Sequence, residues 1–148
     1  LRLHTVQPGE RFGRIYLASY PDPLGFGKSK SRFSDPRRRK PENRFGALYL
    51  GQTLAVCFLE AVLHDRKDGV AGGLLLEERE LEERLYADIE VTDALRMVDL
   101  RGNHAVAMGV PSEVVRGVRQ TPGRAWSVAF HDHPEQVDGI IYPSRLNG

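Results

Sequence analysis

Residues 47–64 read Ala47-Leu48-Tyr49-Leu50-Gly51-Gln52-Thr53-Leu54-Ala55-Val56-Cys57-Phe58-Leu59-Glu60-Ala61-Val62-Leu63-His64. Two kinds of order meet here. Ala47-Leu48-Tyr49-Leu50 is a short continuous apolar run, which predicts a buried strand. Gly51 breaks it, Thr53 has the side chain of a helix cap, and Leu54, Phe58 and Ala61/Val62 then fall on one helical stripe. A helix is therefore expected over 54–64, ended by Asp65-Arg66-Lys67-Asp68-Gly69. Outward from this pair, alternation predicts strands over 14–19 and 85–91, and further strands over 96–100 and 139–143. Helices are expected over 77–84, 103–109 and 112–119, and another over 123–131 behind Pro122. Strands and helices mixed in this order predict an α+β domain with a mixed sheet and flanking helices.

The chain has 148 residues, enough for one domain with a real core, so 1–148 is expected to be a single unit. Hydrophobic residues make up 41% and charged residues 28%, which excludes a disordered chain. No apolar run reaches the ~20 residues of a membrane helix, and the amino-terminal residues carry no signal-like pattern. The lone Cys57 cannot form an internal disulfide or a cysteine-rich zinc site, so a reducing cytoplasm is the expected compartment.

The net charge of +1 gives no overall field for nucleic acid, but the charge is uneven. Residues 28–44 hold eight basic side chains and two acids, whereas 77–90 hold seven acids and two arginines. The basic stretch sits in a Gly- and Pro-rich loop expected at about 20–45, unusually long for a compact domain. Arg37-Arg38-Arg39-Lys40 lacks interleaved aromatics and any reader motif, so a solvated loop is expected and direct nucleic-acid binding is not. His131-Asp132-His133 lacks a third placed ligand, and no metal is expected. Both the GxxxxGK[ST] and the GxGxxG phosphate-loop patterns are absent.

Three features can carry chemistry. Glu60 lies within the most hydrophobic helical stretch, where a carboxylate needs a partner or a cleft. It is either the solvent edge of an amphipathic helix or a carboxylate stabilising a cationic transition state. Arg14 starts a core strand and Arg32 sits in Ser31-Arg32-Phe33-Ser34; two arginines can clamp a pyrophosphate, or both are plain surface charges. Tyr49, eleven residues before Glu60, can stack on a flat ring at the mouth of a cleft or simply pack in the core. Cys57, on the helical stripe, reads as core rather than nucleophile.

Taken together, these residues resemble the RES domain family. The resemblance rests on Phe12-Gly13-Arg14-Ile15-Tyr16, Ser31-Arg32-Phe33-Ser34-Asp35-Pro36, and Ala47-Leu48-Tyr49-Leu50-Gly51 leading to Phe58-Leu59-Glu60. It continues through Ala125-Trp126-Ser127-Val128-Ala129 and Asp138-Gly139-Ile140-Ile141-Tyr142-Pro143-Ser144-Arg145. The order is the family's and spans nearly the whole chain. Ser31 and Ser34 stand where the family often has Gly and Asn. Ser127 and Ser144 compete for the serine motif, and Ser144 is preferred because it follows the closing strand.

The resemblance implies a fold similar to ADP-ribosyltransferase toxins. It also implies a cytoplasmic toxin of a toxin–antitoxin pair, with NAD+ consumed as substrate by hydrolysis or phosphorolysis. Glu60, Arg14 and Ser144 would then be catalytic, Arg14 and Arg32 would hold the phosphates, Tyr49 would stack near the nicotinamide, and Ser144 would act by positioning the substrate through hydrogen bonds. The implied partner is an antitoxin with a helix-turn-helix domain that blocks the cleft. Two other readings stand beside this one: a protein ADP-ribosyltransferase sharing the NAD+ site, and, more remotely, a non-catalytic nucleic-acid-binding module using the 28–44 loop.

Overall fold

Short runs of alternating and β-branched residues make the strands, and the helices supply apolar side chains to the core beside them. In chain order the elements are β1 (Leu3–Val6), β2 (Arg11–Leu17), α1 (Leu54–Phe58), β3 (Arg84–Glu90) and β4 (Leu95–Asp99). Then come α2 (His104–Ala107), α3 (Ser112–Arg116), α4 (Thr121–His131) and β5 (Gly139–Ile141). These belong to a computed structural model that describes residues 1–20, 22–27, 31–37, 43–58, 82–117 and 120–143. The domain is α+β, as expected.

The strands form two sheets. One has the order β1-β4-β5: β1 lies antiparallel to β4, with Leu3 opposite Val98, and β5 lies parallel to β4, with Asp99 opposite Ile141. The other is an antiparallel ribbon of β2 and β3, running from the Arg11–Glu90 pair to the Leu17–Arg84 pair. Between β1 and β2 the chain turns at Pro8-Gly9, where Gly9 takes φ +94°, a left-handed conformation that favours glycine. The core lies between β4, β5 and the three helices α2–α4. Val98 and Val114 are fully buried, with Leu100, Val110, Phe33 and Phe130 packed around them.

Most expected elements lie within a few residues of their predicted bounds. Thr53 caps α1, its Oγ1 accepting the Val56 N–H at 3.1 Å. The remainder of the helix expected over 54–64, and most of that over 77–84, lie outside the described residues. The strand β1 was not predicted, because four residues with two apolar side chains carry too little pattern.

The predicted buried strand over 47–50 is a correction. The run forms only isolated bridges at its ends, Ala47 with Gly27 and Gly51 with Gly13, and Leu48, Tyr49 and Leu50 are exposed. Its apolar side chains face open space rather than the core, a distinction that a hydrophobic run cannot make. Gly51 serves packing more than chain breaking, since a Cβ there would lie 2.7 Å from the Cys57 sulfur. Cys57 itself is buried, and burial pushes its thiol above the ordinary value, in keeping with a core role.

Leu100 links the end of β4 to the helices and is 2% exposed. Leu100→Ala is expected to lower the unfolding free energy by about 2–5 kcal/mol in urea titrations, whereas Val106→Ala, on the open face of α2, should change it little. A loss below about 1 kcal/mol for Leu100→Ala would contradict this placement of the core.

Candidate functional site

Part of the long Gly- and Pro-rich loop, residues 32–35, passes through the interior. Arg32, Phe33, Ser34 and Asp35 are all buried, although none lies in a helix or strand. An irregular buried stretch needs outside partners for its polar groups. Helix α4 supplies them from one face, because Gly123 and Ser127 are four residues apart. Gly123 lets the backbone of Arg32 approach, since a Cβ there would collide with the Arg32 carbonyl. Ser127 Oγ donates to the Phe33 carbonyl at 2.6 Å, and Arg124 Nη1 donates to the Ser31 carbonyl at 3.2 Å. Within the segment, Ser34 Oγ accepts the Ser31 N–H and donates to the Ser31 carbonyl.

Asp35 anchors the far end. Its carboxylate accepts from Arg37 N, Nε and Nη2 at 2.9–3.0 Å and from Phe45 N at 3.3 Å. The Arg37 guanidinium holds the Asp35 carboxyl well below the usual carboxylate range. Arg37 Nη1 reaches on to Asp132 Oδ2 at 3.1 Å, and Phe45 stacks on His131 with ring centroids 4.3 Å apart. Arg37 therefore fastens the loop to the end of α4, which corrects its assignment to a solvated basic run. Residues 38–40 of that run lie outside the described residues.

The anchored segment walls a cavity of about 560 Å³, a size suited to a small-molecule ligand. Phe33, Phe45 and Tyr142 border it, as do Leu48, Tyr49 and Leu50, whose apolar side chains seemed misplaced for a strand. β1 and the β4–β5 edge close the other side through Val6, Met97 and Ile140. Apolar and aromatic surface thus dominates, with a few polar groups set among it.

The structure brings some of the expected site residues together. Tyr49 borders the cavity, and its hydroxyl accepts the Phe33 N–H at 3.0 Å and lies 2.7 Å from Ser31 Oγ. Its oxygen is thus committed to the buried segment, while 36% of the residue remains exposed. Arg14 is one residue from Gly13, which exchanges two backbone hydrogen bonds with Gly51, so Arg14 and Tyr49 flank one bridge. Arg14 Nη1 donates to the Pro23 carbonyl at 2.7 Å, and burial pushes its pKa down while Asp22 partly offsets that.

Arg32 is differently placed. Its Nη1 donates to the Val114 carbonyl at 3.0 Å and its Nη2 to the Gly117 carbonyl. These carbonyls belong to the last turn of α3 and the residue after it, where helix geometry leaves acceptors unpaired. Arg32 and Arg14 both lie off the cavity's described lining. Glu60 and Ser144 lie outside the described residues.

Sequence reasoning missed a second carboxylate–arginine unit. Asp99, buried at the end of β4, accepts from Arg101 N, Nε and Nη2 at 2.9–3.0 Å, and His104 Nδ1 lies 3.1 Å from Oδ2, the oxygen that Nη2 also uses. The Arg101 guanidinium draws the Asp99 carboxyl down to about 2. The Asp-x-Arg spacing at 35–37 and again at 99–101 was the one available signal.

Comparison with known proteins agrees with the family resemblance. The RES domain family matches the chain over residues 8–148. A protein of Sinorhizobium fredii (strain NBRC 101917 / NGR234), described as "Probable toxin y4kH", is 36% identical over 86 residues. The aligned stretch covers 58% of this chain and 68% of that protein. No solved structure matches the chain.

The geometry of Arg32 yields a discriminating expectation. Hydrogen bonds from a charged group contribute about 1.5–3 kcal/mol each, and Arg32→Ala leaves buried carbonyls unpaired. Arg32→Ala should lower the unfolding free energy by at least about 2 kcal/mol, measured by chemical denaturation. Unchanged stability with lost ligand affinity would instead make Arg32 a direct phosphate ligand.

Proposed function

The chain belongs to the RES domain family, and from that premise we propose that it is a toxin that cleaves NAD+ at the nicotinamide–ribose bond, by hydrolysis or phosphorolysis. The observation that carries the reading is the family match over residues 8–148, seconded by a relative described as a probable toxin. The cavity adds physical support, since its aromatic border and volume suit a dinucleotide's flat rings.

Breaking this bond leaves oxocarbenium character on the ribose carbon, while nicotinamide departs with the bonding electron pair. An oxygen of water or phosphate then bonds to that carbon and loses its proton to solvent. Glu60 is assigned the carboxylate role: it stabilises the developing charge or holds a ribose hydroxyl. The Tyr49 ring stacks near the nicotinamide, with its hydroxyl already fixed by Phe33 N–H. Arg14 contributes positive charge beside the same bridge, and Ser144 positions substrate by hydrogen bonding rather than as a nucleophile. Arg32 acts at one remove by holding the segment that Tyr49 grips.

A cytoplasmic enzyme of this kind would drain a shared cofactor, so it needs a blocker. The proposed partner is an antitoxin carrying a helix-turn-helix domain, seated over the cavity mouth and excluding NAD+. The opposite local charges of residues 28–44 and 77–90 would steer its approach.

Incubation of the purified chain with NAD+, with and without phosphate, tests the activity. Free nicotinamide is expected, with ADP-ribose or its phosphorylated form as the other product. Glu60→Gln should cut turnover by about 100-fold or more with circular dichroism unchanged. Near-normal turnover in a folded Glu60→Gln variant would remove Glu60 from the mechanism. Nicotinamide release accompanied by a labelled protein would replace the reading with protein ADP-ribosylation.

A further inference from the structure

Among the described residues that line the cavity, Arg101 is the one arginine or lysine. The two acids of that lining each accept a backbone N–H and keep their charge: Asp138 Oδ2 accepts the Arg96 N–H at 2.8 Å, and Glu10 accepts the Gln7 N–H. Much of the remaining border is apolar or aromatic. The Asp99 carboxylate offsets the Arg101 charge, so what the cavity offers an anion is the guanidinium's remaining N–H donors.

The charge is also held still. Asp99, with its side chain 5% exposed, grips Arg101 Nε and Nη2 at 2.9 Å each, while the Arg101 side chain is 41% exposed. Nη1 forms no hydrogen bond among the described residues. The Asp35–Arg37 unit provides an internal comparison, because it repeats the fork atom for atom at 2.9 Å. There Nη1 is taken by Asp132 at 3.1 Å, and the unit serves as a clasp. At Arg101 the matching edge is left for a ligand. A guanidinium with one edge fixed and the other free is preorganised for a phosphate oxygen pair.

We propose that Arg101, steadied by Asp99, is the anion-binding group of this cavity and takes a phosphate of the substrate's pyrophosphate. The assignment deepens the NAD+ reading and rests on it for the identity of the ligand. It fills a place that the geometry leaves open, since Arg14 and Arg32 both lie off the cavity's described lining and Arg101 lies on it. Arg101 is a binding residue and Asp99 its positioning residue. Their contact with phosphate persists from bound substrate to transition state, so its loss should appear in KM more than in kcat.

The test measures NAD+ kinetics, and calorimetric binding of inorganic pyrophosphate, for the wild-type chain, Arg101→Gln and Arg101→Lys. The expected result is a KM raised about tenfold or more in Arg101→Gln, with kcat within about threefold and pyrophosphate binding lost. Arg101→Lys, which keeps charge without the fork, should fall between. An unchanged KM and unchanged pyrophosphate affinity in folded Arg101→Gln would overturn the assignment and leave NAD+ cleavage standing. If the wild-type chain releases no nicotinamide, the NAD+ reading fails on its own, and pyrophosphate binding that depends on Arg101 still upholds the anion site. Absence of pyrophosphate binding to the wild-type chain overturns the site in that case. Should Arg101→Gln lose its fold by circular dichroism, Arg101→Lys decides: a KM or pyrophosphate Kd raised at least threefold supports the assignment, and unchanged values refute it.

Discussion

Burying irregular backbone is possible only when each polar group on it finds a partner, and residues 32–35 meet that demand from several sides. Helix α4 offers Ser127 Oγ to the Phe33 carbonyl and, at Gly123, room for the Arg32 backbone. The end of α3 accepts the Arg32 guanidinium, Tyr49 takes the Phe33 N–H, and Arg37 neutralises Asp35. Each contact satisfies one group of the segment and at the same time ties a distant element to it. The segment joins pieces of chain that are more than eighty residues apart in sequence.

The cavity is a consequence of this arrangement. Phe33 faces the core on one side and borders the cavity on the other, so the segment is shared between packing and site. Tyr49 is positioned by the same segment, which fixes a ring at the cavity edge without burying it. Opposite, the end of β4 supplies Asp99 and Arg101, held by a parallel pairing with β5 that sets Asp99 against Ile141. Rigid sheet on one side and an over-determined loop on the other give a site with little freedom to lose on binding, which favours tight recognition of a small ligand.

Much of the fold was legible because strand and helix periodicity survives in single sequences. The expected strands over 85–91 and 96–100 lie one residue from β3 and β4, and the Thr53 cap is present. What could not be read was the direction in which an apolar run faces. Leu48, Tyr49 and Leu50 match a buried strand in composition, yet they border a cavity. The 20–45 loop misled for the converse reason. Its 37–40 run reads as solvated, and only tertiary partners reveal that Arg37 is clasped by Asp35 and Asp132 and that residues 32–35 are interior. Ser127 looked like a rival for the serine motif, whereas its hydroxyl holds the Phe33 carbonyl. The two Asp-x-Arg forks were present as a spacing, but pattern alone does not say that Asp35 and Asp99 are buried.

The central claim is that the 32–35 segment is an integral part of the folded domain and not a surface loop. Amide hydrogen exchange at Phe33 tests it most directly, because that N–H points at the Tyr49 hydroxyl. The account predicts that Phe33 exchanges only through openings nearly as costly as global unfolding, like core amides, and that Tyr49→Phe speeds its exchange markedly. Exchange of the Phe33 amide at the rate of an unprotected loop in the wild-type chain would contradict it.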